Sequence, residues 1–149
     1  MPNHNLKYAR ALEEYITFFE KLSRRSIPLL DKIAAPGMYF KDPLHEVRDI
    51  EAVKRMLAHM FKAVDRVRFK AINRGFTRKG NAAFIHWICM YERKGRAHEF
   101  EGTSMITFDE QGMITSRTDH WDAAENIYAH APILGRIIPH VKSKIAAQP

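Results

Sequence analysis

The sequence has a single cysteine, Cys89, so a disulfide within the chain is excluded. A lone thiol fits a reducing compartment, and a cytoplasmic protein is expected. No apolar run approaches the ~20 residues that a membrane-spanning helix needs, so no membrane partner is expected. The opening stretch Met1-Pro2-Asn3-His4-Asn5 lacks the basic-then-apolar order of a signal peptide. The eight histidines are scattered, without His-x-x-x-His or Cys-rich ligand spacing, and no metal site is expected. A dinucleotide glycine loop, a phosphate loop and a nucleophile elbow are all missing, so the expected chemistry needs no cofactor. Internal repeats, low-complexity runs and linkers are also missing.

Acidic charge is in short supply. Against 24 Lys and Arg stand 17 Asp and Glu, a formal net charge of +7. The excess concentrates between Lys62 and Arg96. That balance raises the question of nucleic acid. The charges are spread over a helix end, strands and loops, with no base-stacking aromatic motif and no helix-turn-helix pattern. They read as a solvated face, and no nucleic-acid partner is expected.

What is present suffices for one folded domain: 149 residues, 46% of them hydrophobic. Leu12, Tyr15, Ile16, Phe19 and Leu22 recur at spacings of three and four, which predicts a helix over Leu6 to Leu22 with a buried stripe. Tyr15 lies on that stripe, either as a core residue or with its hydroxyl aimed into a cavity. A short helix over Ser23 to Lys32 follows, with Pro28 in its first turn, and Ala35-Pro36-Gly37 ends it. Met38-Tyr39-Phe40 reads as a strand. Pro43 forces Asp42 into an extended conformation, where its carboxylate either points into a cup or caps a turn. His45 to Arg48 reads as loop. Asp49 reads as the N-cap of a helix over Ile50 to Lys62, with His59 at its surface or rim.

Long strands come next, over Val64 to Phe76, Ala82 to Glu92 and Ala97 onward. In the second, Phe84, His86, Ile88 and Met90 share one face and Ile85, Trp87, Cys89 and Tyr91 the other. Both rows are mostly apolar, so one face meets a cavity and the other a helix or a partner subunit. His86 is either a satisfied structural group or a proton carrier. The chain then closes on the hairpin that organises it. Met105 to Phe108 is a strand, Asp109-Glu110-Gln111-Gly112 a turn, and a second strand runs to Asp122. Alternation puts Arg117, Asp119 and Trp121 on one face, an odd set for a core and a sensible one for a pocket wall. Past Asp122 the sequence is helical but broken by Pro132, Gly135 and Pro139. This extension, 123–149, lies over the domain, across the pocket mouth, or on a second subunit. The order of elements predicts an α+β domain over 1–122, helices covering one face of a mostly antiparallel sheet.

Taken together, the helix bearing Tyr15, the run Tyr39-Phe40-Lys41-Asp42-Pro43, the helix around Glu51-Ala52-Val53, and Ile106 to Ile114 leading into Asp119-His120-Trp121-Asp122 resemble the nuclear transport factor 2-like superfamily. Ketosteroid isomerases, SnoaL-type polyketide cyclases and limonene-epoxide hydrolases belong to it. The resemblance covers Leu6 to Asp122. It implies a cone-shaped, curved mixed sheet wrapped around the N-terminal helices, a cystatin-like α+β roll, with a homodimer formed through the outer sheet face. It also implies site residues. Asp42 matches the general base of the isomerases, Tyr15 their oxyanion donor and Trp121 their pocket aromatic. Ser104 stands where those enzymes carry a protonated acid, a departure from their mechanism. Asp119 matches the last-strand carboxylate of the hydrolases and cyclases, whose Arg-x-Asp partner pair is not evident. The expected function is therefore binding of a small, largely apolar cyclic molecule. Asp42, Asp119, His86 and Tyr15 are the catalytic candidates. Tyr39, Phe84, Ile88, Met90, Ser104, Arg117 and Trp121 are expected in the binding wall. The alternative is a non-catalytic binding or dimerising module of the same fold.

Overall fold

The computed structural model describes residues 2–147, with side chains for all of these except 2–5 and 129. Helix α1 (Pro2–Glu20) leads through a 3₁₀ segment, Ile27–Lys32, into strand β1 (Ala34–Lys41). Strand β2 (Glu46–Arg48), helix α2 (Ile50–Ala63) and strands β3 (Asp65–Phe76), β4 (Ala82–Arg93), β5 (Arg96–Phe108) and β6 (Ile114–His120) follow. Helix α3 (Ala123–Asn126), a 3₁₀ turn and helix α4 (Leu134–Ile145) complete the chain.

One six-stranded sheet has the order β2-β1-β6-β5-β4-β3. Only β1 and β6 run parallel; the other neighbours are antiparallel. The result is the α+β arrangement expected, a curved mixed sheet with helices on its inner face. Register breaks in β1, β3 and at the β5–β6 turn bend the sheet, as bulges do. Helix α1 lies in the concavity through Leu12, Tyr15, Ile16 and Phe19, all buried with Ile85, Trp87, Ile106 and Ile114 of the sheet. Asp49 caps α2 as expected, its carboxylate accepting from the Ala52 N–H at 2.8 Å.

Several local expectations are overturned. Ala35-Pro36-Gly37 does not end a helix but lies within β1, over the stretch where its pairing with β6 is interrupted. That irregular stretch accommodates Pro36, which has no N–H to give to a regular ladder. Residues 46–48 are not loop; they pair with Tyr39, Phe40 and Lys41 as an edge strand. Gly135 and Pro139 do not break the last helix, since α4 runs through both. No residue of α4 is buried. No helix among the described residues is long and apolar enough to cross a membrane.

Candidate functional site

Between α2, the inner face of the sheet and the segment after β6 lies a cavity of about 310 Å³. Phe19, Phe40, Phe69, Phe100, Trp87, Tyr91 and Trp121 give it aromatic walls, and Met56, Leu57 and Met60 of α2 close one side. Ile127 reaches it from beyond α3, so the start of the C-terminal extension touches this cavity. Polar groups enter at few points: Arg117 with Asp119, Asp42 with His45, and the side chains of His59 and Arg93. An apolar hollow with a few converging polar groups is the usual form of a small-molecule site.

The first polar point is a buried chain. Strand alternation turns Arg117 and Asp119 inward together, and the Arg117 guanidinium grips both carboxylate oxygens, Nε to Oδ1 at 2.6 Å and Nη2 to Oδ2 at 3.0 Å. Ser104, paired opposite Asp119 in the ladder, donates to Oδ1 at 2.5 Å. The Trp87 indole N–H donates to Ser104 at 2.8 Å. Behind Arg117, its Nη1 reaches the Tyr15 hydroxyl at 3.5 Å, and its guanidinium lies 4.0 Å from the centre of the Phe19 ring. Burial opposes the charge on Arg117, but Asp119 and Tyr15 outweigh it and hold the guanidinium pKa above its ordinary value. Burial pushes the Tyr15 hydroxyl up to about 12, against the lowering influence of Arg117. It likewise pushes the Cys89 thiol up to about 12, so this cavity-lining sulfur is protonated and a poor nucleophile.

The second polar point is a tight loop. Asp42 is extended at the end of β1, and its Oδ1 accepts the N–H groups of Leu44 and His45 at 2.8 and 2.7 Å. The same oxygen lies 3.0 Å from Nδ1 of His45. Both readings of Asp42 therefore hold at once: it caps a turn and it faces the cavity.

Of the residues expected at the site, Asp42, Arg117, Asp119 and Trp121 line this cavity. Ser104 and Tyr15 stand behind its wall, lining an adjoining space of about 20 Å³. The others are displaced. Phe84, His86, Ile88 and Met90 face outward, because β4 turns Ile85, Trp87 and Cys89 to the core. His86 bonds Glu101 on the outer face at 2.8 Å, far from the partners that a pocket base would need. Tyr39 sits on β1 beside the edge strand β2, donating to Glu46 at 3.0 Å under the Arg48 guanidinium.

The outward turn of β4 has a cause. Lys94 and Gly95 both take positive φ, 51° and 73°, in a two-residue turn that pairs Arg93 with Arg96. That register carries Ser104 opposite Ile85, so the row containing Ile85 shares the face of Ser104 and Asp119. The tight turn Arg93-Lys94-Gly95-Arg96 was thus the signal that separates the two apolar rows. His45, His59, Phe69, Trp87, Cys89, Tyr91 and Phe100 are among the lining residues that sequence reasoning missed; for His45 the signal is its place three residues after the Asp of an Asp-Pro pair.

The sequence pattern of the SnoaL-like domain family matches residues 15–117. None of the curated proteins matches. Among solved structures, the chain is similar to an NTF2-like protein of unknown function from Exiguobacterium sp. 255-15, with TM-score 0.66 and 16% identity over 75% of this chain and 98% of that one. It is similar to an LEH-like epoxide hydrolase of M. tuberculosis, with TM-score 0.66 and 15% identity over 96% of each chain. It is also similar to a candidate polyketide cyclase from Xanthomonas campestris pv. campestris, with TM-score 0.70 and 13% identity over 82% of this chain and 95% of that one. At these identities the likeness shows the NTF2-like fold alone.

Proposed function

The chain belongs to the SnoaL-like domain family, and from that premise we propose that its cavity binds a small, largely apolar cyclic molecule and moves a proton on it without a cofactor. The substrate class is steroid-, terpenoid- or polyketide-like, and the reaction an isomerisation, cyclisation or epoxide opening. The observation that carries this reading is the cavity itself: aromatic walls with a few polar groups, the pairs Arg117–Asp119 and Asp42–His45 with His59 and Arg93. A ligand fitting such walls gains by burying apolar area and is oriented by the polar groups. The cyclase and epoxide hydrolase of like fold favour the same class of molecule.

The division of labour follows from hydrogen-bond capacity. Asp119 has both oxygens bound to Arg117 and one also to Ser104, so it is held as the anion that balances a buried cation. The acceptor positions so engaged are not open to a donor on the ligand. Arg117 commits three of its five N–H groups to Asp119 and Tyr15, which leaves two for an oxygen of the ligand. Proton transfer then falls to the Asp42 end of the cavity.

The test is a thermal-shift screen of steroids, terpenoid epoxides and aromatic polyketide-like compounds, with each hit then incubated in D2O and followed by mass spectrometry. Binding to the native state raises the melting temperature by mass action. A shift together with deuterium uptake, ring closure or epoxide opening is expected. Binding with no chemical change supports a plain binding module, which the mutual neutralisation of Arg117 and Asp119 would also suit. Absence of any binding overturns the proposal.

A further inference from the structure

We infer that His45 is the group that takes the proton, with Asp42 as its positioning partner, and that the molecule it acts on carries a carbonyl beside the C–H that is broken. This rests on the proposed function and assigns its chemistry to a residue that the Asp-Pro resemblance passes over.

The argument begins with what Asp42 can accept. Its Oδ1 receives two backbone N–H groups, from Leu44 and His45. An oxygen engaged by two donors is an acceptor, so the contact at 3.0 Å with the His45 ring is made by an Nδ1–H. In the neutral ring that contact fixes the tautomer and puts the lone pair on Nε2. Among the described residues Nε2 has no hydrogen-bond partner. His45 lines the cavity with its side chain 38% exposed, and its Nδ1 is turned to Asp42. Asp42, whose side chain is 13% exposed, is held by its own turn and stabilises the imidazolium once formed. A nitrogen base oriented by a carboxylate brings a lone pair that carries no hydrogen bond, whereas Oδ1 of that carboxylate is engaged three times.

The step balances without an oxidant. Nε2 takes a proton from the carbon next to the carbonyl. The C–H pair moves onto the carbonyl oxygen as an enolate, which the free N–H groups of Arg117 suit as donors. The proton then returns to the same carbon or to a conjugated one, giving exchange or isomerisation.

An apolar bromoketone, 2-bromo-2′-acetonaphthone, tests this on the whole protein without knowledge of the natural substrate. Attack by Nε2 forms an N–C bond and expels bromide, and the ring keeps its Nδ1 hydrogen against Asp42. Peptide mapping should find one label, on His45, suppressed by excess 2-acetonaphthone. The label should be lost in His45→Gln. In Asp42→Asn, which keeps an oxygen for the turn, labelling should slow about tenfold or more, the scale of a charge-assisted hydrogen bond. A ¹⁵N spectrum of the His45 ring should show the hydrogen on Nδ1, a readout that a merely structural role for Asp42 would not require. Protection by 2-acetonaphthone with the label on His59 or Cys89 overturns the assignment and leaves the pocket reading standing. Labelling of His45 that 2-acetonaphthone does not suppress overturns the pocket reading. No label with no binding of 2-acetonaphthone, judged by the melting temperature, overturns both.

Discussion

Asp119 and Arg117 are each more than nine-tenths buried, and neither charge is tolerable there without the other. Asp119→Asn leaves the guanidinium uncompensated and should cost about 3–5 kcal/mol in urea unfolding. Asp119→Asn combined with Arg117→Met should cost clearly less than the two single changes summed, because the double variant buries no lone charge. Tyr15 behind the pair gives a pH signature. Its hydroxyl titrates near 12 in the folded protein against 10.0 for the free group. Stability is therefore complete below pH 10 and is lost as pH rises through about 12, on the order of 3 kcal/mol by linkage. Cys89, raised from 9.0 to about 12, acts in the same direction from a lower pH. Melting curves between pH 9 and 12 should flatten in Tyr15→Phe and again in Cys89→Ala. These residues were legible to different degrees. Arg117, Asp119 and Trp121 announce themselves by alternating in the sequence as residue types unusual for a core, although the strand itself ends at His120. His45 does not, because its meaning depends on a ring-to-carboxylate contact across a turn.

At the scale of elements, the β4–β5 hairpin decides which side chains see the cavity. Gly102 on β5 lies under the Trp87 ring, and a Cβ there would stand 2.6 Å from two ring carbons and 2.9 Å from the His120 carbonyl oxygen. Gly102→Ala should therefore push Trp87 off Ser104, lowering stability by about 1–3 kcal/mol and shifting tryptophan emission. Strand periodicity predicted these elements nearly to their ends, since apolar alternation and turn residues are local properties. It could not rank two apolar rows on β4. Phe84, Ile88 and Met90 are as hydrophobic as Ile85, Trp87 and Cys89, and only the pairing register separates them. The short edge strand 46–48 escaped for a related reason: three residues carry no readable period, and their strand character comes from pairing with β1.

For the molecule as a whole, the outward row poses its own question. Phe84 and Met105 pair across β4 and β5 and are 44% and 39% exposed. We propose, as the resemblance implies, that a second copy covers this face. Sedimentation should give a dimer, and Phe84→Glu with Met105→Glu should give a folded monomer. A monomeric wild type would exclude it. No residue of helix α4 is fully buried, so truncation after Ile133 should change unfolding free energy by less than about 1 kcal/mol.

The sequence by itself determined the elements, the α+β order, the hairpin that carries Arg117 and Asp119, and the turn that holds Asp42, because periodicity, capping and turn chemistry act over a few residues. The tertiary structure alone decided which face of β4 is inside, that Tyr15 and Ser104 stand behind the cavity wall, and that His45 meets Asp42 at its edge. Those outcomes depend on ladder register and on which buried charges find partners, and both are relations between segments distant in the chain.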